Sequence, residues 1–135
     1  NTNRANIARA SLESAVFAMR GGLEAFRKLG FQPKEIRLIG GGSKSSIWRQ
    51  IAADIMNLPI RVPLLDEAAA LGGAVQALWC LKNQSGKCDI AQLCAEHIKL
   101  DESKSTNPIA ENVAAYNKAY AEYDKIVKTL TPLYE

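Results

Sequence analysis

Residues 36–50, "IRLIGGGSKSSIWRQ", decide how the chain is read. Ile36 and Leu38 alternate with Glu35 and Arg37, the period of a half-buried strand over 36–39. Gly40, Gly41 and Gly42 follow at once, and beyond Ser43–Ser46 the pattern becomes that of a helix carrying Trp48. Glycines between a strand and a helix let another group approach the backbone, and the first amides of the helix point at any anion there. A phosphate, a ribose or another piece of the protein would each satisfy that geometry.

Known phosphate-binding spacings narrow the choice only in part. GGGSKSS does not fit the P-loop pattern GxxxxGK[ST], and Ser85-Gly86-Lys87 fails as well because Cys88 stands where Ser or Thr is required. Gly40-x-Gly42-x-x-Ser45 departs from the dinucleotide pattern GxGxxG only at its last glycine, and Asp66 stands after the second strand, the place of a ribose-binding acid in that pattern. A long helix ahead of the first strand argues against that fold. A glycine turn that merely eases packing is of nearly equal weight.

Working outward, residues 6–29 read as an amphipathic helix with Leu12, Val16, Met19, Leu23 and Phe26 on one face. Gly30 suits a left-handed C-terminal residue, with Phe31 folding back on Phe26 before Pro33. Downstream of the glycines, Ile47, Ile51, Ile55 and Leu58 form a second stripe that ends at Pro59. Residues 60–64 read as a second strand whose Pro63 marks an edge. Asp66 is expected to cap a third helix reaching about Lys82, with Leu71, Val75, Leu78 and Trp79 apolar. Gly72-Gly73 weakens that helix and is expected to be compensated by close approach of another element. Asp89 and Gln92 suggest a short helix to His97, and residues 101–107 read as a polar, mobile loop. Pro108 opens a last helix over 108–130, striped by Val113, Tyr116, Tyr120, Tyr123, Val127 and Leu130.

Two short strands do not make a stable sheet alone. The order helix, strand, glycine loop, helix, strand, helix therefore predicts an α/β class, helix-rich with few strands, as the C-terminal part of a longer protein. A net charge of +3 from 17 bases and 14 acids is too mild and interspersed to argue for nucleic acid or a membrane surface. Three cysteines without a CxxC pair fit a reducing, cytoplasmic setting, and they read as buried structural thiols. Cys80, Cys88, Cys94 and His97 lack zinc-knuckle spacing, and one histidine supports no Ser/His/Asp set. Glu13 reads as solvent-facing or paired, and Glu67 as a carboxylate favoured at a helix start.

Three blocks taken together carry a family resemblance: "RANIARASLESAVFAMRGGLEAF", "IRLIGGGSKSSIWRQIAADIMNLPIRV" and "EAAALGGAVQAL". They resemble the C-terminal part of the FGGY carbohydrate kinases, with Asn6 to Glu13 like the second half of that family's signature. The resemblance is weakest over residues 83–107. It implies a ribonuclease H-like (actin-like) domain, residues 1–135 forming part of the C-terminal nucleotide-binding domain. It also implies ATP with magnesium as phosphoryl donor, and a sugar bound through an N-terminal domain that lies upstream. Carried over residue by residue, Gly41 and Gly42 would lie against the nucleotide, with Ser43 and Ser45 as hydrogen-bonding neighbours. Trp48 and Gln50 would stand toward adenine, and Gly72 and Gly73 would bring the third helix close.

The resemblance places the catalytic aspartate and the other phosphate motif upstream, so no catalytic or metal-binding residue is expected in this chain. The wording of the glycine block and the terminal helix, "NVAAYNKAYAEYDKIVKTLTPLYE", points toward a pentulose, D-xylulose, as substrate. Ribulose, gluconate or glycerol remains open, because substrate choice is made by residues absent here. A truncated dinucleotide-binding oxidoreductase, a non-catalytic module using the tyrosine stripe, and a homodimer remain alternatives. Gly42→Asp is expected to put a carboxylate in the phosphate path.

Overall fold

The computed structural model describes residues 2–65 and 67–134. Helix α1, Arg4–Lys28, begins where Asn3 turns out of extended backbone and its side chain accepts from the Asn6 amide at 2.9 Å. It ends as the sequence predicts, with Gly30 at φ 91° and the Phe31 amide bonded to the Phe26 carbonyl. The Phe26 and Phe31 rings meet edge to face at 6.0 Å.

Strand β1, Ile36–Arg37, feeds a single helical turn α2, Gly41–Lys44, and then α3, Ser46–Met56. Strand β2, Ile60–Arg61, returns parallel to β1 with Ile36 opposite Ile60. A parallel return needs a crossover, and α2 with α3 supplies it, so the glycine loop sits inside a β-α-β unit. Helix α3 stops at Asn57, a left-handed residue with φ 50°, two positions before Pro59.

The core gathers around α3. Ile51, Ala52, Ala53, Ile55 and Met56 pack with Val16 and Phe17 of α1 and with Leu38, Ile60 and Val62 of the strand segments. The buried face of α1 is thus centred on Val16 and Phe17, with Leu23 packed beside them; of the expected stripe Val16 and Leu23 face the core. Leu12, Met19 and Phe26 are exposed because α3 and the last helix both approach α1 from the Phe17 side. Ile47 is likewise exposed, since it lies in the first turn of α3 ahead of the core, whereas Ile51, Ile55 and Leu58 are buried.

Helix α4, Ala68–Ser85, starts after Glu67, whose side chain makes no capping bond; the expected Asp66 cap lies outside the described residues. It packs on α5, Ile90–His97, which Asp89 caps through the Ala91 amide at 2.9 Å. Trp79 Nε1 ties the pair by donating to the Cys88 carbonyl at 2.8 Å. Gly72 and Gly73 have no neighbour: a β-carbon on either would meet nothing within 4 Å, so the expected close approach is absent among the described residues. The thiols are not buried either. Cys80 is exposed and Cys88 and Cys94 are half-buried, because the α4–α5 pair is too thin to enclose them.

The polar stretch 101–107, expected as a mobile loop, is tied to the sheet. The backbone pairs antiparallel with the β2 segment at both ends of residues 99–106, with reciprocal bonds between Ile60 and Thr106 and bonds from the Leu64 amide to Lys99 and from the Asp101 amide to Val62, and makes a 3-10 turn over Glu102–Lys104 in between. Hydrophilic side chains concealed a pairing made entirely by the main chain. Pro63, which has no N–H, sits opposite Leu100 where none is called for.

Helix α6, Ala110–Leu130, begins two residues after Pro108, with Ile109 as N-cap instead of the proline-led start. Val113 is buried, and Tyr116, Tyr120 and Tyr123 lean on the core around Phe17 at ring-centroid distances of 5.4 to 6.1 Å. Val127 and Leu130 leave the stripe exposed, since α6 runs on past the core. Arg20 clasps the three main helices: Nη1 donates to the Ile55 carbonyl and Nη2 to Asn117, both at 2.8 Å, with its guanidinium 4.3 Å above the Tyr120 ring. No described helix is long and apolar enough to cross a membrane.

Candidate functional site

The glycine loop is a rigid turn. Gly40 adopts φ 76° and ψ −163°, a region essentially reserved for glycine. Ser43 folds back on it: its amide and its hydroxyl both donate to the Gly40 carbonyl, at 3.1 and 2.7 Å. Ser43 is consequently buried, with its hydroxyl turned inward. Ser45 interrupts the helix in extended backbone, accepts from the Trp48 amide at 3.2 Å and so caps α3, on the exposed side of the loop.

The three glycines do different things. A β-carbon on Gly41 would enter open space. One on Gly42 would fall 2.7 Å from Trp48 Nε1 and 2.9 Å from its Cδ1, so the close approach that Gly42 permits is made by this indole. Trp48 is half-buried against the core and covers Gly42. The Gly42→Asp change would therefore displace the indole as well as add a charge, and Gly41→Asp is the cleaner perturbation.

Beneath the turn, Arg49 extends along the buried side of α3 and Nη1 donates to the Ser43 carbonyl at 2.7 Å. One turn further along α3, the Gln50 amide nitrogen donates to Asp54 Oδ1 at 2.8 Å and to the Asn107 carbonyl at 3.1 Å. Asp54, 1% exposed, also accepts from the Ile109 amide and from Asn112 Nδ2, each at 2.8 Å. A fully desolvated carboxylate is tolerable only with donors around it, and three are present. Asp54 thus fastens the start of α6 to α3 and is no free base.

At the far side of α6, Glu13, Arg9 and Tyr116 close a ring of three bonds, each 2.6 Å. Burial, then the bond to Glu13, raises the Tyr116 hydroxyl above its ordinary pKa, while the bonds to Glu13 and Tyr116 raise that of Arg9. Glu13 is therefore paired, as the sequence allowed.

The structure brings Gly41, Gly42, Ser43, Ser45, Trp48 and Gln50 into one turn and the helix it opens, but they do not share one exposed face. Gly41 and Ser45 face out, Ser43 faces in, and Trp48 and Gln50 are engaged with the protein itself. Sequence reading missed Arg49 and Asp54. The available signal was a polar residue at 54 inside the apolar spacing 51, 55, 58. The crevice against the loop itself, lined by Leu38, Ile39, Gly40, Ser43, Val62 and Pro63, is too narrow to admit water; a hollow of about 230 Å³ lies beside it, between Arg37, Ile39, Pro63, Leu71, Gly72 and Ile98. Among the described residues no group of three or more His, Cys, Asp or Glu side chains is placed to hold a metal ion.

A turn of this kind, rigid, glycine-lined and free of reactive side chains, suits holding a ligand more than transforming one. The chain belongs to the FGGY family of carbohydrate kinases, whose C-terminal domain matches residues 1–81. Its helix-rich fold is that of the C-terminal part of their ribonuclease H-like (actin-like) domain. It is 46% identical over 123 residues to the xylulose kinase of Haemophilus influenzae, covering 91% of this chain and 24% of that one. A ribulokinase of Bacillus licheniformis is 30% identical over 126 residues, 93% of this chain and 23% of its own. Among solved structures, a xyloylose kinase from Brucella ovis superposes with a TM-score of 0.83 at 27% identity, covering 98% of this chain and 26% of that one. The chain therefore spans about a quarter of the length of the relatives it matches.

Proposed function

We propose that the chain is the nucleotide-holding, C-terminal portion of an ATP-dependent pentulose kinase, with D-xylulose as the sugar that becomes D-xylulose 5-phosphate. The observation that carries this reading is the Gly40–Ser45 turn, locked between β1 and α3 with Gly41 open to solvent, inside the residues matched by the family. On its open side the Gly41 backbone is uncovered, since a β-carbon there would meet nothing within 4 Å, which leaves room for a nucleotide to approach the main chain. Gly41 would lie against the α-phosphate side, and Ser45, already facing out, would offer its hydroxyl to the nucleoside. Gly42 and Ser43 would hold the turn in shape. Trp48 and Gln50 would border the adenine, Gln50 through its Oε1, since its amide nitrogen is committed to Asp54 and Asn107.

In phosphoryl transfer the nucleotide supplies the γ-phosphoryl, and catalysis rests on positioning and charge stabilisation. This chain contributes the positioning of the adenosine end. Asp54, held by three donors, is not available to take a proton from a sugar hydroxyl. The sugar site, the base and the second phosphate loop are assigned to upstream sequence. A reducing, cytoplasmic setting accords with three free cysteines.

The test is calorimetric titration of the chain with ADP–Mg and, in parallel, NAD, using Gly41→Asp as control, together with an assay of D-xylulose phosphorylation. Saturable ADP binding that Gly41→Asp abolishes, without NAD binding or phosphorylation, is the expected result. NAD binding would overturn the kinase reading in favour of a dinucleotide-binding one. Turnover by the chain alone would overturn the division of labour proposed here.

A further inference from the structure

Arg49 has an unusual position for a cation. The residue is 9% exposed, and its Nε is buried without a hydrogen-bond partner. Among the described residues no carboxylate forms an ion pair with it. Its one bond holds the Ser43 carbonyl at 2.7 Å. A guanidinium does not shed its proton on burial, so the charge persists under the turn. An uncompensated buried charge is costly, and a single neutral carbonyl answers it only in part. Arg20 Nε likewise lacks a hydrogen bond, but that guanidinium has two acceptors, an aromatic face and Glu24 at 3.6 Å.

We infer that Arg49 is a positioning residue for an anion at the glycine turn: it fixes the Ser43 carbonyl and sets a weakly screened positive charge beneath the loop. The turn thereby discriminates the phosphate-bearing end of a nucleotide from an uncharged nucleoside. The inference rests on the reading of the turn as a nucleotide site. Lys44, on the exposed side of the same turn, is the competing source of positive charge. The two differ in screening, because salt acts strongly on exposed charges and weakly on buried ones.

The experiment measures the affinities of the full chain for ADP, AMP and adenosine by calorimetry, for the unaltered protein, Arg49→Lys and Arg49→Gln. Gln keeps a donor for the Ser43 carbonyl and removes the charge; Lys keeps the charge. The expected result is a roughly tenfold loss of ADP affinity in Arg49→Gln, a smaller loss for AMP and none for adenosine, with Arg49→Lys within about threefold of the unaltered chain. Equal weakening of all three ligands in Arg49→Gln would make Arg49 a structural prop and overturn the inference, as would no change in any of them. Should Arg49→Gln not fold, the unaltered chain still decides. Its preference for ADP over adenosine should change less than about twofold between 0.05 and 0.5 M salt; a collapse of the preference would assign it to Lys44. A folded, unaltered chain that binds neither ADP nor AMP would refute the nucleotide reading itself, and this inference with it.

Discussion

The indole of Trp48 lies so close over Gly42 that a β-carbon there would come within 2.7 Å of Nε1. The end of the glycine run is therefore shaped by a tryptophan six residues on, and Gly41, in its middle, is left as the position where the backbone is open.

Adjacent alanine substitutions should behave oppositely. Gly42→Ala forces the indole or the turn to move and should cost about 1–3 kcal/mol of stability, as overpacking does. Gly41→Ala meets nothing, so its stability should stay within about 0.5 kcal/mol while ADP affinity falls. Denaturant unfolding of both, with Gly42→Ala repeated in a Trp48→Leu background, reads the coupling. If Trp48→Leu does not relieve the Gly42→Ala defect, the contact is not what requires glycine.

The Gly40 backbone gives a second test at the same turn. With φ 76° and ψ −163°, Gly40→Ala should lose about 1–3 kcal/mol even though its β-carbon would find open space. A neutral result in thermal unfolding would mean that the turn reaches another conformation at little cost.

Asp54 should prove structural. Asp54→Ala leaves the Ile109 amide, Asn112 and Gln50 without their acceptor and should destabilise by about 2–4 kcal/mol, whereas Asp54→Asn, which keeps one acceptor oxygen, should lose less. Hydrogen exchange would show the loss first at the N-terminus of α6. Uniform loss of protection through the chain would instead make Asp54 a determinant of the whole fold.

The ring of Glu13, Arg9 and Tyr116 predicts a pH dependence. Burial, then Glu13, hold the Tyr116 hydroxyl protonated to higher pH than in an unfolded chain, where tyrosine ionises near about 10. The folded state then binds the extra proton, so this contribution is complete below that value and is lost as pH rises through the folded pKa. Ultraviolet titration should show two tyrosines ionising late, Tyr116 and Tyr120, whose hydroxyl burial also raises, and Tyr116→Phe should remove one of them. A late component undiminished in Tyr116→Phe would show that the ring does not hold the Tyr116 proton.

The sequence displayed local order more fully than tertiary order. Gly30 with Phe26 and Phe31, the extended Ile36 and the helix that carries Trp48 all follow from residues close in the chain. On α1 the stripe read from the sequence caught Val16 and Leu23 but not Phe17, because Leu12, Met19 and Phe26 are as apolar as Phe17 and only the arrival of α3 and α6 distinguishes them. The pairing within residues 101–107 was not legible because it uses main-chain groups that every residue type shares. At the candidate site the glycines announced a close approach, but not that at Gly42 the approaching group was the protein's own tryptophan. Arg49 and Asp54 stood out only once their surroundings were known.

The strand-like run of residues 99–106 also governs how this sheet can grow. It closes the outer margin of β2, and Pro63 blunts what remains of that side. Among the described residues β1 pairs only with β2, so its other margin offers unpaired main-chain groups. Any strand that extends the sheet, whether from upstream sequence or from a second copy, has one docking rail, and it is the strand that leads straight into the glycine turn. An added strand would therefore brace the turn from the N-terminal side, which ties the rigidity of the ligand loop to the completeness of the sheet.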